Sequence, residues 1–164
     1  MRKSSELQEK TAAVVTALVV LAFTVGKAFV SIPGLWSAEL HQVSQIRLNP
    51  LETFEYARVW WGPWLNLFGN IALFAPVGFV AYRGSVARAT LIGLVCSLGI
   101  ETAQYLFSWG YSDADDVICN VAGAWLGAVV AAGASRGTRS AVLWCIAAVG
   151  ALSLAVYAAL GLSA

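Results

Sequence analysis

Five long apolar runs, separated by short polar segments, dominate the pattern along the chain. Each run is long enough to cross a bilayer, because about 20 apolar residues span its hydrocarbon core. Backbone groups find no water there, so each run must satisfy its hydrogen bonds internally, as a helix does. The predicted helices cover residues 11–30, 63–82, 88–108, 116–135 and 140–162. We therefore expect residues 1–164 to form one domain, an all-α polytopic membrane helix bundle.

Composition supports this class of protein and excludes others. Residues of the set AVILMFWYC make up 59% of the chain and charged residues 12%, whereas about 25% of an average soluble domain is charged. The net charge of +1 provides no basic face for nucleic acid. Cys96, Cys119 and Cys145 lie in apolar runs without zinc-type spacing. The sequence thus predicts membrane lipid as a partner, and neither a metal site nor a cofactor.

The basic residues predict how the five helices are oriented, because Lys and Arg near span ends favour the cytoplasmic side. The N-terminal segment, the 83–88 loop and the 136–139 loop share one side and carry seven basic residues, against three on the other side: Lys27, Arg47 and Arg58. This count predicts a cytoplasmic N-terminus. The first run also fits a signal peptide, and its removal leaves the orientation of the other four helices unchanged.

Tryptophan positions give an independent indication of the outer side. Amphipathic aromatic residues favour the headgroup level of a bilayer, and five of the seven tryptophans lie at ends predicted to be outside. These are Trp36, Trp60, Trp61, Trp64 and Trp109. The long connection of residues 31–63 lies on the same side, and connections of that length are usually functional. We expect it to form short interfacial helices over roughly residues 36–47 and 52–61.

Glu101 is the one ionisable residue deep inside a predicted span. A charged side chain there costs about 2.5–3.5 kcal/mol, so it should face protein or water. Ser97 and Gln104 lie on the same helix face, four residues before and three residues after it. Two roles stay open: a hydrogen-bonded peg between helices, or a working site in which Glu101 is the candidate catalytic acid or base.

Other polar residues fall at a similar depth on the neighbouring helices. Asn70 and Glu101 lie roughly 9–10 Å below the outer surface and Asn120 about 6 Å, at 1.5 Å rise per residue. Acidic residues at the start of the fourth helix suit its N-terminus, and carboxylates so close together also fit a divalent cation. We predict an outer-leaflet pocket formed by Asn66, Asn70, Glu101, Gln104, Asp113, Asp115, Asp116 and Asn120.

Small residues and a proline predict where helices approach closely or break. Gly123 and Gly127 are four residues apart and form a small-residue stripe on the fourth helix, which allows another helix to pack against its backbone. Pro76 lies inside the second helix, with Gly78 just after it. Because Pro lacks an N–H, it frees a carbonyl group one turn earlier. We expect these four residues to have structural roles.

Three motifs together resemble the signature of the VanZ-like membrane protein family. Residues 70–79 read NIALFAPVGF and resemble its NxxxFxPxGF motif, residues 97–104 read SLGIETAQ and resemble SxxxExxQ, and residues 115–123 read DDVICNVAG and resemble DDxxxNxxG. The family often carries an Arg shortly before its aspartates, where this chain reads Trp-Gly-Tyr-Ser. Arg47 and Arg58 are the expected substitutes for that Arg.

The resemblance implies a multi-pass protein of the bacterial cytoplasmic membrane, and the family's namesake is associated with reduced susceptibility to the glycopeptide antibiotic teicoplanin. With the predicted pocket, it favours a non-catalytic cell-envelope protein that binds an outer-leaflet lipid-linked molecule, such as a cell-wall precursor, or a glycopeptide. The alternatives are a small membrane enzyme acting on a lipid headgroup with Glu101 as acid or base, and a proton-coupled carrier. No motif in the sequence names a reaction.

Overall fold

The computed structural model of the protein describes residues 2–50, 52–55 and 59–162, without the side chains of residues 2–5, 52 and 53. Five helices among these residues are long and apolar enough to cross a membrane. They are Glu6–Ala28, Gly62–Ala81, Val86–Phe107, Ala114–Gly133 and Arg136–Leu162. The expected all-α polytopic bundle is confirmed, because continuous apolar runs of this length leave the backbone little alternative to the helix in a bilayer.

Six α-helices and two short strands make up the regular structure of the described residues. The helices are α1 (Arg2–Phe23), α2 (Glu52–Glu55), α3 (Gly62–Ala81), α4 (Val86–Phe107), α5 (Ala114–Gly133) and α6 (Arg136–Leu162). The strands are β1 (Ser44–Arg47) and β2 (Gly110–Asp113), and single 3₁₀ turns cover Val25–Ala28 and Glu39–His41. The polar segments between the membrane helices therefore hold all of the strand structure.

Local capping fixes the ends of the two central helices. The Ser85 hydroxyl accepts the Arg88 N–H at 3.3 Å and starts α4. Ser108 ends α4 in the left-handed region, with φ of 57°, as is common for a residue that follows a helix. The Asp113 carboxylate accepts the Asp115 N–H at 2.9 Å and starts α5. These caps place the acidic segment at one end of the bundle.

The two ends of the helix bundle differ in the side chains that they carry. Phe23, Trp36 and Tyr157 pack together where α1 and α6 finish, and this end, which also holds the α4–α5 connection, is called the Trp end here. At the opposite, Arg end, Glu9 on α1 forms ion pairs with Arg83 at 3.2 Å and with Arg139 at 3.5 Å. Glu9 thereby ties α1 to the α3–α4 loop and to α6.

The closest helix packing in the bundle joins α3 and α5. A Cβ atom placed on Gly127 would overlap the carbonyl oxygen of Ala75 on α3, and one placed on Gly78 would overlap the carbonyl oxygen of Ala124. A Cβ atom placed on Gly123 would likewise overlap the carbonyl oxygen of Ile71 on α3. The small-residue stripe of α5 therefore faces α3, and the two backbones are in contact.

The connection between α1 and α3 differs from its predicted structure. An interfacial helix over residues 36–47 is wrong: β1 forms there and pairs in parallel with β2, with Ser44 opposite Gly110 and Arg47 opposite Asp113. The Ser44 hydroxyl also donates to the Tyr105 carbonyl oxygen at 2.7 Å. These bonds to the end of α4 compete with a local helix and hold the segment across the Trp end. Of the second predicted helix, α2 ends at Glu55, and residues 56–58 lie outside the described residues.

The orientation of the bundle is a prediction that cysteine labelling can check. In a variant without the native cysteines, Leu48→Cys at the Trp end should react with a membrane-impermeant maleimide added to intact cells. Arg136→Cys at the Arg end should react only after the cells are opened, because the basic residues at that end favour the cytoplasm. Labelling of Arg136→Cys in intact cells would reverse the assignment.

Candidate functional site

A group of polar side chains lies between α3, α4 and α5 at the Trp end, with Asp116 near its centre. Asp116 is in the first turn of α5. The side-chain amides of Asn66 and Asn70 on α3 both donate to its Oδ1 atom, at 2.7 and 2.6 Å. Two amide donors on one carboxylate oxygen are charge-assisted hydrogen bonds, the stronger class. They fix the Asp116 side chain inside the bundle.

Asn120 lies one turn deeper on α5 and reaches α4. Its side chain is 1% exposed, and its amide donates to the Ser97 hydroxyl at 3.0 Å. Its carbonyl oxygen, Oδ1, has no hydrogen-bond partner among the described residues. A buried polar atom without a partner costs about 1–3 kcal/mol. Asn120 therefore presents an acceptor that a hydrogen-bond donor would stabilise.

Glu101 connects α4 to β2. Its carboxylate accepts the backbone N–H of Asp113 at 2.8 Å and is also hydrogen-bonded by the side chain of Ser112. The side chain is 6% exposed, so these bonds replace the water that a carboxylate would otherwise need. Glu101 thus holds the start of α5 against α4, as expected of a hydrogen-bonded peg.

Gln104 lies one turn nearer the Trp end on the same face of α4. Its amide packs beneath Gly110, where an added Cβ atom would lie 2.8 Å from the Gln104 nitrogen. The Gln104 side-chain oxygen is buried and has no hydrogen-bond partner in the described part of the chain. Together with Asn120, it gives the site two buried acceptor oxygens without donors.

Lys27 is a further residue near the site, and in the sequence it stands out only as one of the three basic residues predicted to lie outside. It lies in the 3₁₀ turn after α1, half-buried, and its ammonium group interacts electrostatically with the Asp116 and Glu101 carboxylates. Its Nζ atom is 5.7 Å from the centre of the Trp36 ring. A lone cation within the first apolar run was the signal that could have identified it, because a charge there needs a partner.

Of the two expected arginine substitutes the structure describes Arg47, which lies opposite the buried Asp113 in the β1–β2 pair. The Arg47 guanidinium stacks over the Tyr111 ring at 4.0 Å, in a cation–π arrangement. Arg58 lies outside the described residues. Lys27, from a different part of the chain, is a cation that interacts electrostatically with Asp116 and Glu101.

Lys27 also affects a titratable group in the loop that covers the Trp end. Burial lowers the pKa of the half-buried His41 ring below its usual 6.5, the bond from its Nδ1 atom to the Ser37 carbonyl raises it, and the charge of Lys27 lowers it further. The net shift is downward. His41 is therefore neutral near pH 7, and it adds no second cation to the Lys27 side of the site.

These contacts define a polar cluster at the Trp end of the bundle. Its members are Lys27, Asn66, Asn70, Ser97, Glu101, Gln104, Asp113, Asp116 and Asn120. Asp115 is half-buried in the first turn of α5 and has interactions of its own. Pro76 lies deeper on α3 and lines an apolar groove with Thr16 and Cys145. The described residues contain no group of three or more His, Cys, Asp or Glu side chains that could hold a metal ion.

Hydrogen bonds join Asn66 and Asn70 to Asp116, and Asn120 to Ser97. An open pocket within the polar cluster stays a prediction. Two cavities of about 400 and 560 Å³ lie elsewhere in the bundle, along its apolar helix faces. The β1–β2 pair lies over the end of α4 that carries Glu101 and Gln104. The arrangement is thus a set of hydrogen-bond acceptors, with one ammonium group, beneath a two-stranded cover.

Comparison with known proteins identifies the family of the chain. No curated protein and no solved structure gives a significant match to the chain. The model of the VanZ/LLP1 family matches residues 13–135, a range that begins in α1, ends just after α5 and includes every member of the polar cluster. With five apolar helices of membrane-spanning length, the chain is a multi-pass membrane protein that belongs to the VanZ/LLP1 family.

Proposed function

We propose that the protein lies in the cytoplasmic membrane of a bacterium and binds the headgroup of a lipid-linked cell-envelope component at the polar cluster. The observation that carries this proposal is a set of buried polar side chains within membrane-spanning helices. Two of them, Asn120 and Gln104, keep acceptor oxygens without a donor among the described residues. Polar groups inside a membrane are expensive and are usually functional.

The chemistry of the cluster indicates which headgroup would bind. Carboxylates and amide carbonyl oxygens accept hydrogen bonds, so the cluster suits a ligand rich in hydroxyl, amide N–H or ammonium donors. Lys27 is its one cation and would accommodate a phosphate group. A lipid-linked cell-wall precursor combines a phosphate with sugar hydroxyls and peptide amides, and it therefore fits both parts of the cluster.

The predicted orientation supports the same class of ligand. The basic residues at the Arg end favour the cytoplasm, which turns the Trp end and the polar cluster toward the outer leaflet. Glycopeptide antibiotics act on that side of the membrane. By holding a precursor there, the protein would change susceptibility to a teicoplanin-type glycopeptide, and direct binding of the glycopeptide is the competing form of this proposal.

The contacts of Glu101 favour binding over catalysis. The buried carboxyl group accepts the Asp113 N–H at 2.8 Å, which gives it a structural role that needs no reaction. Glu101 is best interpreted as the residue that positions β2 and the start of α5.

Asp116→Asn tests the proposed function. The probe is a fluorescent polyprenyl-pyrophosphoryl disaccharide-pentapeptide, titrated against the purified protein in phospholipid nanodiscs. Hydrogen bonds to a charged group contribute about 1.5–3 kcal/mol, so we expect the Kd to rise by about tenfold or more. Glu39→Gln is the matched control, because it neutralises an exposed carboxylate at the same end of the bundle.

Three outcomes decide the proposal. Weaker binding by Asp116→Asn with unchanged binding by Glu39→Gln supports it. Equal affinity of Asp116→Asn and the wild type rejects the polar cluster as the site. If the wild type retains the probe no better than it retains a phospholipid without the disaccharide-peptide, recognition of the headgroup is rejected. Teicoplanin titrated in the same nanodiscs tests direct binding of the glycopeptide.

A further inference from the structure

Two arginine side chains converge at the Arg end of the bundle. Arg83 lies in the α3–α4 connection and Arg139 in the first turn of α6. Both guanidinium groups donate to the Tyr82 carbonyl oxygen, at 3.1 and 3.2 Å. Both also form an ion pair with the Glu9 carboxylate. One carboxylate therefore faces two guanidinium groups, and it balances only one of their two positive charges.

The surrounding contacts fix both guanidinium groups and leave one of them accessible. The Arg139 side chain is 20% exposed and lies over the Phe79 ring, 5.5 Å from its centre. The Arg83 side chain is 50% exposed, and a further hydrogen bond to the Val80 carbonyl oxygen at 2.9 Å sets its direction. An anion can therefore reach Arg83 without displacing the contacts that hold it in place.

The start of α6 adds to the positive potential at the Arg end. A helix N-terminus carries a partial positive charge, so it favours anions and disfavours basic side chains. The first turn of α6 nevertheless carries Arg136 and Arg139 and no acidic residue. Arg136 is exposed and lies three residues before Arg139, on the same helix face. A neighbouring anion would stabilise this arrangement.

The depth of these arginines indicates that the anion belongs to a lipid. One membrane-spanning helix ends at Ala81 and another begins at Arg136, so the arginines lie at the level of the phospholipid headgroups. Basic residues at this level attract anionic lipids. The segments at the Arg end carry seven basic residues, against the two acidic residues Glu6 and Glu9. Their net charge is therefore complementary to a negatively charged leaflet.

We propose that Arg83, Arg136 and Arg139 bind the phosphate group of an anionic phospholipid such as phosphatidylglycerol. Guanidinium groups present paired N–H donors that match the oxygens of a phosphate. The negative charge of the lipid balances the positive charge that Glu9 leaves uncompensated. Phosphatidylcholine has the same phosphate but carries a cation of its own, so it binds this site less well. The site lies at the opposite end of the bundle from the polar cluster and does not depend on the ligand bound there.

Lipid binding to the purified protein tests this proposal. Native mass spectrometry in detergent measures the Kd for added phosphatidylglycerol and for phosphatidylcholine with the same acyl chains. We expect the wild type to bind phosphatidylglycerol about tenfold more tightly. Arg83→Gln should lose most of this preference, because it removes the accessible guanidinium group. If Arg83→Gln does not fold, Arg136→Gln replaces it, since the Arg136 side chain is exposed.

Arg88→Gln is the matched control. Arg88 is exposed in the first turn of α4 at the same end of the bundle, so this variant removes an equal charge and keeps the converging pair. It should retain the preference for phosphatidylglycerol. Equal Kd values for the two lipids in the wild type, or equal losses in the site variant and in Arg88→Gln, overturn the site. Displacement of bound phosphatidylglycerol by inorganic phosphate at matched ionic strength overturns the assignment to a lipid.

Discussion

Gly127→Leu is expected to prevent α5 from assembling against α3. A Cβ atom at this position would already overlap the Ala75 carbonyl oxygen and lie 2.9 Å from the Phe79 nitrogen. Both atoms belong to the α3 backbone, so no side-chain rotation can relieve the overlap, and the helices must separate. Overpacking a well-packed core typically costs 1–3 kcal/mol and occasionally more, and we expect a loss above about 3 kcal/mol because only backbone movement can relieve this overlap.

Gly133→Leu is the matched control for this variant. Gly133 is the last residue of the same helix, and a Cβ atom there meets nothing within 4 Å. Gly133→Leu should therefore keep the membrane yield and thermal unfolding midpoint of the wild type in detergent. Gly127→Leu should lose the sharp unfolding transition and elute as aggregate. Equal unfolding midpoints for the two variants would contradict the backbone contact between α3 and α5.

The membrane helices could be predicted because their signal is local. Each apolar run is continuous, and the bilayer forces its backbone into a helix whatever its neighbours are. The glycine stripe of α5 is also a local pattern, since Gly123 and Gly127 must share a helix face. What the pattern could not provide is the partner, and the structure identifies it as the α3 backbone at Ile71 and Ala75.

The cover of the Trp end could not be predicted in the same way. β1 is only four residues long and pairs with β2, more than sixty residues further along the chain. The apolar residues Leu40, Val43 and Ile46 are three apart, a spacing that favours an interfacial helix when no strand partner is known. Strand pairing depends on the partner and its register more than on intrinsic propensity. The predicted helix over residues 36–47 is wrong for this reason.

The helix faces that carry the polar residues could be predicted from spacing, whereas the contacts of those residues could not. Asn66 and Asn70 share a helix face with the spacing that brings both to Asp116. The position of Lys27 depends instead on how the 3₁₀ turn after α1 folds back, which has no pattern in the sequence. A count of basic residues treats Lys27 as a surface charge, whereas in the structure it is half-buried and interacts electrostatically with two buried carboxyl groups.

Glu101→Leu is expected to destabilise the protein, whereas Glu101→Gln should preserve most of its stability. The free-energy cost of placing a charged side chain inside the membrane, taken alone, favours an apolar residue at this depth. The carboxylate, however, accepts the Asp113 N–H at 2.8 Å, and leucine would leave that buried donor without a partner. Such a loss costs about 1–3 kcal/mol. Glutamine keeps an acceptor oxygen in the same place for the Asp113 N–H and should therefore lose much less stability.

Thr102→Leu controls for a change of polarity at the same depth of α4. Thr102 is exposed, and its hydroxyl bonds only within its own helix, to the Leu98 carbonyl oxygen at 2.7 Å. Its replacement should leave the unfolding free energy unchanged. Hydrogen exchange of the Asp113 amide gives the specific measurement: Glu101→Leu should accelerate it strongly, Glu101→Gln only slightly, and Thr102→Leu not at all. Unchanged exchange in Glu101→Leu would show that Glu101 does not anchor β2, and its buried carboxyl group would then require a functional explanation.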